Sequence, residues 1–326
     1  MFSDMSFSNE ELIQGVLDGN YRAVARLISL SENRVPRARD IQAELFKKSG
    51  SAHVIGVTGS PGAGKSTLVD RMALSLKQSG KKVAVLAVDP TSPFSGGAVL
   101  GDRIRMNHSL EHEDIYVRSM ATRGSLGGLS KATLDAIQIL DAAGFEAILV
   151  ETVGVGQAEV DIMRTADTCF VVLVPGMGDS VQAIKAGILE IADHFVINKS
   201  DRDGADLLQR DIRILLSLSD YDETDWKPPI LRTVATTGDG VEELLSELSK
   251  HQKWLAGSQE GKKRKLSIIK ERILRLAADL MYERLLKSSS VTLDDLVQEC
   301  FERKKDPYSI VEALLMKADI SSKVNS

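Results

Sequence analysis

Residues Gly59-Ser60-Pro61-Gly62-Ala63-Gly64-Lys65-Ser66 set glycines, a lysine and a hydroxyl at the spacing of a phosphate-binding loop. Glycine lets the chain turn tightly and lay its N–H groups against the α- and β-phosphates of a nucleoside triphosphate. Lys65 is then placed to reach the outer phosphates, and the Ser66 hydroxyl to ligate Mg²⁺. The apolar run His53 to Thr58 comes before the loop, and a helical pattern opens at Thr67 after it. Strand, loop and helix therefore follow in the order that the chemistry needs. A glycine-rich turn of no function would not require that order.

A second constellation, Asn198-Lys199-Ser200-Asp201, directly follows the apolar run Phe195 to Ile197. A carboxylate at Asp201 can accept from the N1–H and the 2-amino group of guanine, whereas adenine has neither donor, so this pattern selects GTP over ATP. Taken alone, the tetrapeptide would also read as a polar turn after a strand. Thr236-Thr237-Gly238, after a later strand, is placed to back the base with main-chain donors. Mg²⁺ demands oxygen ligands, and Ser66 can be joined by Asp89 and Glu151, each ending a strand-like run, and by Asp102 in the glycine-rich region that follows Gly96. Lys65, Glu151 and Asp102 make up the candidate catalytic set. A main-chain N–H near Gly154 can bond the γ-phosphate, so the loop opening at Glu151 would register its loss on hydrolysis. Gln157 is the nearest glutamine able to orient water. Asp179, Gln182 and Lys185 lie in a further segment, which the residues alone read as a solvated helix start.

These groups need a frame that brings strand ends together. Short apolar runs at His53 to Thr58, Val83 to Val88, Ala147 to Val150, Thr168 to Val174, Phe195 to Ile197 and Ile230 to Val234 alternate with helix-length segments. Continuous apolar strands of this kind predict an α/β fold, a mostly parallel sheet covered by helices on both faces, with ligands at the carboxyl ends of the strands. Ahead of it, Ser8-Asn9-Glu10-Glu11 reads as a capping box, and one apolar stripe runs from Leu12 to Ile28 up to a polar break at Ser29 to Arg34. A short helix at about residues 37–48 completes an N-terminal helical extension, residues 1–50. The nucleotide-binding domain covers 51–256. Gly257 to Lys265 reads as a polar boundary, with Lys262-Lys263-Arg264-Lys265 as a solvated linker and helix start, and a C-terminal helical arm covers 257–326. Such an arm buries little alone, which predicts a homodimer.

Composition excludes other classes. The chain has 326 residues, 43% hydrophobic, with 46 acidic against 41 basic side chains, so it carries no electrostatic footprint for nucleic acid or an anionic membrane. No run of about 18 apolar residues is present to span a bilayer, and the N-terminus resembles no secretory or transit signal. The two cysteines, Cys169 and Cys300, lack the spacing of a metal site or disulfide framework, which points to a reduced, cytoplasmic compartment.

With those residues in place, the chain resembles the MeaB/ArgK family of GTPases, within the signal-recognition and MinD-like division of P-loop NTPases. The resemblance is carried by Gly59 to Thr67, Val88 to Met106, Arg123 to Gly128, Glu151 to Gln157, Pro175 to Gly187, Asn198 to Asp201 and Asp306-Pro307-Tyr308. Thr91 and Ser200 are conservative variants of the usual pattern. It implies a GTPase chaperone for an adenosylcobalamin-dependent acyl-CoA mutase, most often methylmalonyl-CoA mutase, in which GTP turnover gates cofactor delivery and protects or reactivates the mutase. It also implies a homodimer built on C-terminal helices, and a switch in Gly176 to Gly187 that communicates with the mutase. Isobutyryl-CoA and ethylmalonyl-CoA enzymes stay open as clients. Three other readings also stay open: a kinase linked to arginine and ornithine transport, a nickel-delivering GTPase, and a nucleotide-gated assembly module. No acceptor site with a general base marks the kinase, and no Cys/His cluster marks the nickel protein.

Overall fold

The computed structural model describes residues 7–89, 114–121, 131–152, 165–176, 192–222, 224–288 and 293–324. Three helices come first: α1 (Asn9–Leu17), α2 (Tyr21–Glu32) and α3 (Pro36–Phe46). The expected capping box is present, with Glu11 N–H donating to Ser8 Oγ at 3.1 Å and Ser8 N–H to Glu11 Oε2 at 2.7 Å. The single stripe from Leu12 to Ile28 is instead two helices. Gly19 turns at φ 70°, and the Asn20 side chain caps α2 by accepting from the N–H groups of Arg22 and Ala23. Nor does the chain break at Ser29. The Ser29 hydroxyl bonds back to Ala25 O at 3.0 Å, Leu30 and Ser31 are buried, and α2 continues to Glu32.

Next come β1 (His53–Gly59), α4 (Lys65–Gln78), β2 (Val83–Asp89), β3 (Tyr116–Ala121), α5 (Lys131–Ala142), β4 (Ala147–Thr152), β5 (Thr168–Leu173), β6 (His194–Asn198), α6 (Ala205–Leu216), β7 (Ile230–Thr233) and α7 (Val241–Gly257). The strands form one parallel sheet of seven in the order β3-β2-β4-β1-β5-β6-β7. Strand β3 adds an edge that the apolar runs do not announce, because Arg118 and Ser119 interrupt it. Alternate strand residues feed two cores. Val54, Ile148, Val171 and Phe195 pack with α1–α3, α5 and α6, while Ile55, Leu149, Phe170 and Val196 pack with α4 and α7. Burial on both faces is why the central strands carry near-continuous apolar runs rather than an alternating pattern.

Two compact units emerge, residues 1–268 and 269–326. Helix α8 (Gln259–Ser288) begins in the first, and Lys262 to Lys265 lie within it rather than in a linker. Arg264 is not a solvated charge. Its Nη1 and Nη2 donate to Asp193 Oδ1 and Oδ2 at 2.6 and 2.8 Å, and its Nε to Ala166 O at 3.2 Å. The second unit holds α9 (Leu293–Phe301) and α10 (Pro307–Val324), the latter started by Pro307 and by Asp306, which accepts from Ser309 N–H.

Candidate nucleotide-binding and hydrolysis site

The order in which strands are added to the sheet switches sides at β1, which has β4 on one side and β5 on the other. Open parallel sheets place ligands at the carboxyl edge of such a switch point. Register aligns the candidates along that edge: Gly59 is opposite Val172, Glu151 is flanked by Val57 and Ala87, and Asn198 is opposite Thr233. Asp89 closes β2 at the same edge.

The loop between β1 and α4 has the backbone that its glycines predict. Gly59, Gly62 and Gly64 adopt φ of 142°, 75° and 84°, conformations costly for any side chain. A Cβ on Gly59 would collide with the Val172 carbonyl, and one on Gly64 with the Asn198 amide. Ala63 N–H closes the turn onto Ser60 O at 3.1 Å, with Pro61 exposed at the crest. Gly64, the N-cap of α4, offers no side-chain acceptor, so the first-turn N–H groups of Lys65, Ser66 and Thr67 present the positive end of the helix to the loop. That concavity fits an anion. Lys65 is buried, its Nζ held by Gly59 O at 2.5 Å and Ser60 O at 3.1 Å, which fixes an ammonium beside the loop.

Ser66 Oγ donates to Glu151 Oε1 at 2.6 Å, and Glu151 is 1% exposed. Beneath them Thr152 Oγ1 bonds Thr58 Oγ1 at 3.2 Å. A hydroxyl and a carboxylate in contact are hard oxygen donors. Among the described residues no three His, Cys, Asp or Glu side chains gather around a metal position. The donor set thus fits a Mg²⁺ that completes its shell with phosphate oxygens and water rather than an all-protein cage.

At the other end of the loop, Asn198 is 1% exposed and joins three segments. Its Nδ2 donates to Ala63 O at 2.8 Å, while its Oδ1 accepts from Ala235 N–H at 3.1 Å and Thr233 Oγ1 at 3.2 Å. Lys199 takes φ 54° and donates from Nζ to Gly62 O at 2.7 Å. Asp201, three residues beyond Asn198, is exposed. The turn that should back the base is narrower than expected. Thr237 and Gly238 N–H both bond Val234 O, at 3.1 and 2.9 Å, and among the described residues the Thr236 N–H has no bonded acceptor. Arg71 of α4, which no motif singles out, donates from Nε to Ala235 O at 3.2 Å and from Nη2 to Thr236 O at 2.8 Å. Asp102, Gly154, Gln157, Asp179, Gln182 and Lys185 lie outside the described residues.

The opposite edge of the sheet carries a different polar cluster. Thr168 Oγ1 lies 2.7 Å from His53 Nε2 and 2.8 Å from His251 Nδ1, and His251 stands 3.5 Å from the Asp193 carboxylate that Arg264 grips. Burial lowers the pKa of His53, His194 and His251 to about 3, so these rings are neutral. Burial also pushes the Cys169 thiol up, which leaves it unreactive. A cleft of about 690 Å³ opens here, lined by Tyr221, Trp226, Trp254 and Arg264 among others, and it is remote from the phosphate loop.

The model of the family described as methylmalonyl-CoA mutase-associated GTPase MeaB matches residues 24–290. A Pyrococcus horikoshii protein with GTPase in its name is 48% identical over 94% of this chain and 98% of its own length. The GTPase ArgK of Escherichia coli is 38% identical over 72% of this chain and 73% of its own. The methylmalonic aciduria type A homolog of Caenorhabditis elegans, described as mitochondrial, is 34% identical over 73% of this chain and 64% of its own. Among solved structures, an LAO/AO transport system kinase superposes with a TM-score of 0.65 over 98% of both chains at 23% identity, a likeness of fold. Matched over most of its length and carrying the loop, the Ser66–Glu151 pair and the Asn198 bridge, the chain belongs to the MeaB family of methylmalonyl-CoA mutase-associated GTPases.

Proposed function

We propose that this GTPase is a Mg²⁺-dependent chaperone that gates adenosylcobalamin delivery to a cobalamin-dependent acyl-CoA mutase, methylmalonyl-CoA mutase first among the candidates, and protects or reactivates it. The observation that carries this reading is the family match over residues 24–290, whose description names the mutase. The relative named for methylmalonic aciduria points the same way.

In this reading GTP lies along the carboxyl edge of the sheet. The loop 59–64 and the first turn of α4 wrap its phosphates, and Asp201 accepts from the N1–H and 2-amino groups of guanine. Ser66, Glu151, Asp89 and Asp102 are the residues that would hold Mg²⁺, which supplies neutralisation of charge on the β- and γ-phosphate oxygens. Lys65 stabilises the negative charge that develops toward the β–γ bridge, and Glu151 with the loop after it orients water for in-line attack. Gly154 and Gln157, and the second segment with Asp179, Gln182 and Lys185, are the proposed switches that pass nucleotide state to the mutase. Because no arginine finger is assigned, isolated turnover is slow and the mutase accelerates it.

The domain reading follows: a helical extension at 1–50, a GTPase domain at 51–256, and a dimerisation arm at 257–326. Exposed apolar side chains in the second unit, among them Ile273, Met281, Val297, Phe301 and Met316, support a homodimer there. No described helix is long and apolar enough to cross a membrane. We place the protein in the cytoplasm, with neither nucleic acid nor membrane as partner.

The test is phosphate release from GTP by the dimer alone and with apo-methylmalonyl-CoA mutase, followed by transfer of adenosylcobalamin to that mutase. Slow release that the mutase accelerates, with GTP-dependent cofactor loading, is expected. Fast release indifferent to the mutase would refute the chaperone reading, and label from γ-³²P-GTP on an amino acid or a second protein would favour the kinase.

A further inference from the structure

We propose that Arg71 sets the guanine specificity of this GTPase by aiming the Thr236 amide at the 6-oxo group of the base. This deepens, and rests on, the reading that the turn after β7 backs a guanine.

A trans peptide is planar, so the carbonyl of residue 235 and the N–H of residue 236 belong to one rigid unit and point in opposite directions. Arg71 Nε holds that carbonyl at 3.2 Å, and Nη2 holds the next one, Thr236 O, at 2.8 Å. One guanidinium fork thus holds two successive peptide planes, the one that carries the Thr236 N–H and the one after it, so the first is pinned at its own carbonyl and at the joint that follows. The preceding peptide is fixed as well, because Ala235 N–H donates to Asn198 Oδ1 at 3.1 Å. The Thr236 N–H is thereby aimed away from α4, and it is the one main-chain donor among residues 235–238 with no bonded acceptor among the described residues. A lone, aimed N–H recognises an acceptor such as a 6-oxo group and disfavours a 6-amino group, which would bring donor against donor. Arg71 reaches this turn from the helix that starts in the phosphate loop, so base and phosphates are read by elements held in one geometry. Asp201 reads the 2-amino side, and Arg71 governs the 6-position without touching the nucleotide. It is a positioning residue.

The experiment is calorimetric titration of the full-length protein with Mg²⁺ and three diphosphates, those of guanosine, inosine and 2,6-diaminopurine riboside. Wild type, Arg71→Ala and Arg71→Lys are compared after thermal melts establish folding. Wild type should prefer GDP to the diaminopurine nucleotide, which lacks both the 6-oxo acceptor and the N1–H that Asp201 takes, so the part of that preference that depends on Arg71 is what reports the 6-position. In Arg71→Ala that preference should shrink about tenfold, the effect of one hydrogen bond, while the ratio of GDP to IDP, which reports the 2-amino contact, stays put. Arg71→Lys, keeping one donor of the fork, should fall between. If wild type does not prefer GDP to the diaminopurine nucleotide at all, the base-turn reading falls and this inference with it. If wild type discriminates and Arg71→Ala keeps the full ratio, or weakens all three ligands equally, Arg71 is only a brace and the inference alone is overturned. Should Arg71→Ala melt below the assay temperature, the ratio in Arg71→Lys decides between the same outcomes.

Discussion

The two edges of the parallel sheet hold similar inventories of polar side chains and put them to opposite uses. At the carboxyl edge, Lys65, Ser66, Glu151 and Asn198 gather around the glycine loop and the uncapped first turn of α4. At the amino edge, Arg264, Asp193, Thr168, His53 and His251 close on one another and on main-chain carbonyls, with His251 packed against Trp226 and Trp254. Histidines, a cysteine, an arginine and a large cleft would look like a reaction centre in any count of reactive types. What separates the edges is the main chain: at the carboxyl edge the side chains brace a glycine loop and the uncapped first turn of a helix, and at the amino edge the side chains close on one another as a clasp.

Substitutions at the two edges should therefore separate function from stability. Lys65→Ala should have the largest effect, lowering single-turnover GTP hydrolysis by about a hundred- to a thousandfold, since it removes a preorganised cation from the site of charge development. Phosphate release under single turnover measures it, and a loss under tenfold would displace Lys65 from the chemistry. Arg264→Ala should do the reverse. It leaves the Asp193 carboxylate without its bidentate partner, and both side chains are largely buried at 23% and 12% exposure. Destabilisation of about 2 kcal/mol is expected in denaturant titration, with GDP affinity intact well below the midpoint. Weakened GDP binding at full folding would mean that the clasp reaches the nucleotide.

The clasp also has a pH signature. His53, His194 and His251 sit near 3 when folded against 6.5 ordinarily, lowered first by burial and then by neighbouring cations or rings. Unfolding takes up protons between those values, so their contribution is complete above pH 6.5 and drains as pH falls toward 3. Melting temperature should drop steadily from pH 7 to pH 4, and less steeply in His251→Gln. The smallest effect belongs to surface pairs such as Lys47–Glu44, exposed at 69% and 59%, where Lys47→Ala should shift stability by under about 0.5 kcal/mol.

Legibility in the sequence followed the same division. The phosphate loop is readable because backbone conformation forces glycine at fixed offsets, as Gly59 and Gly64 show, and the two-faced sheet because burial forces apolar runs. Asn198 and Lys199 were readable as a motif, but their bonds to Ala63 and Gly62 were not, since contacts between distant segments leave no spacing signal. Strand β3 hid behind Arg118, whose guanidinium leaves the edge of the sheet to pair with Glu32 of α2. The break at Gly19 hid because the apolar stripe stays in phase across it. Arg264 was masked by its neighbours, a cation among cations that alone turns inward. Arg71, one arginine on an amphipathic helix, carries no sequence signal, because its role comes from a turn met 164 residues later.

The claim on which the whole account rests is that the carboxyl edge holds a guanine through Asp201. Titration of Asp201→Asn with GDP and XDP tests it most directly, because an amide in place of the carboxylate can donate to the 2-oxo group of xanthine but no longer accepts two bonds from guanine. GDP binding should weaken at least about tenfold while XDP binding strengthens, inverting the preference. GDP affinity unchanged from wild type would contradict it.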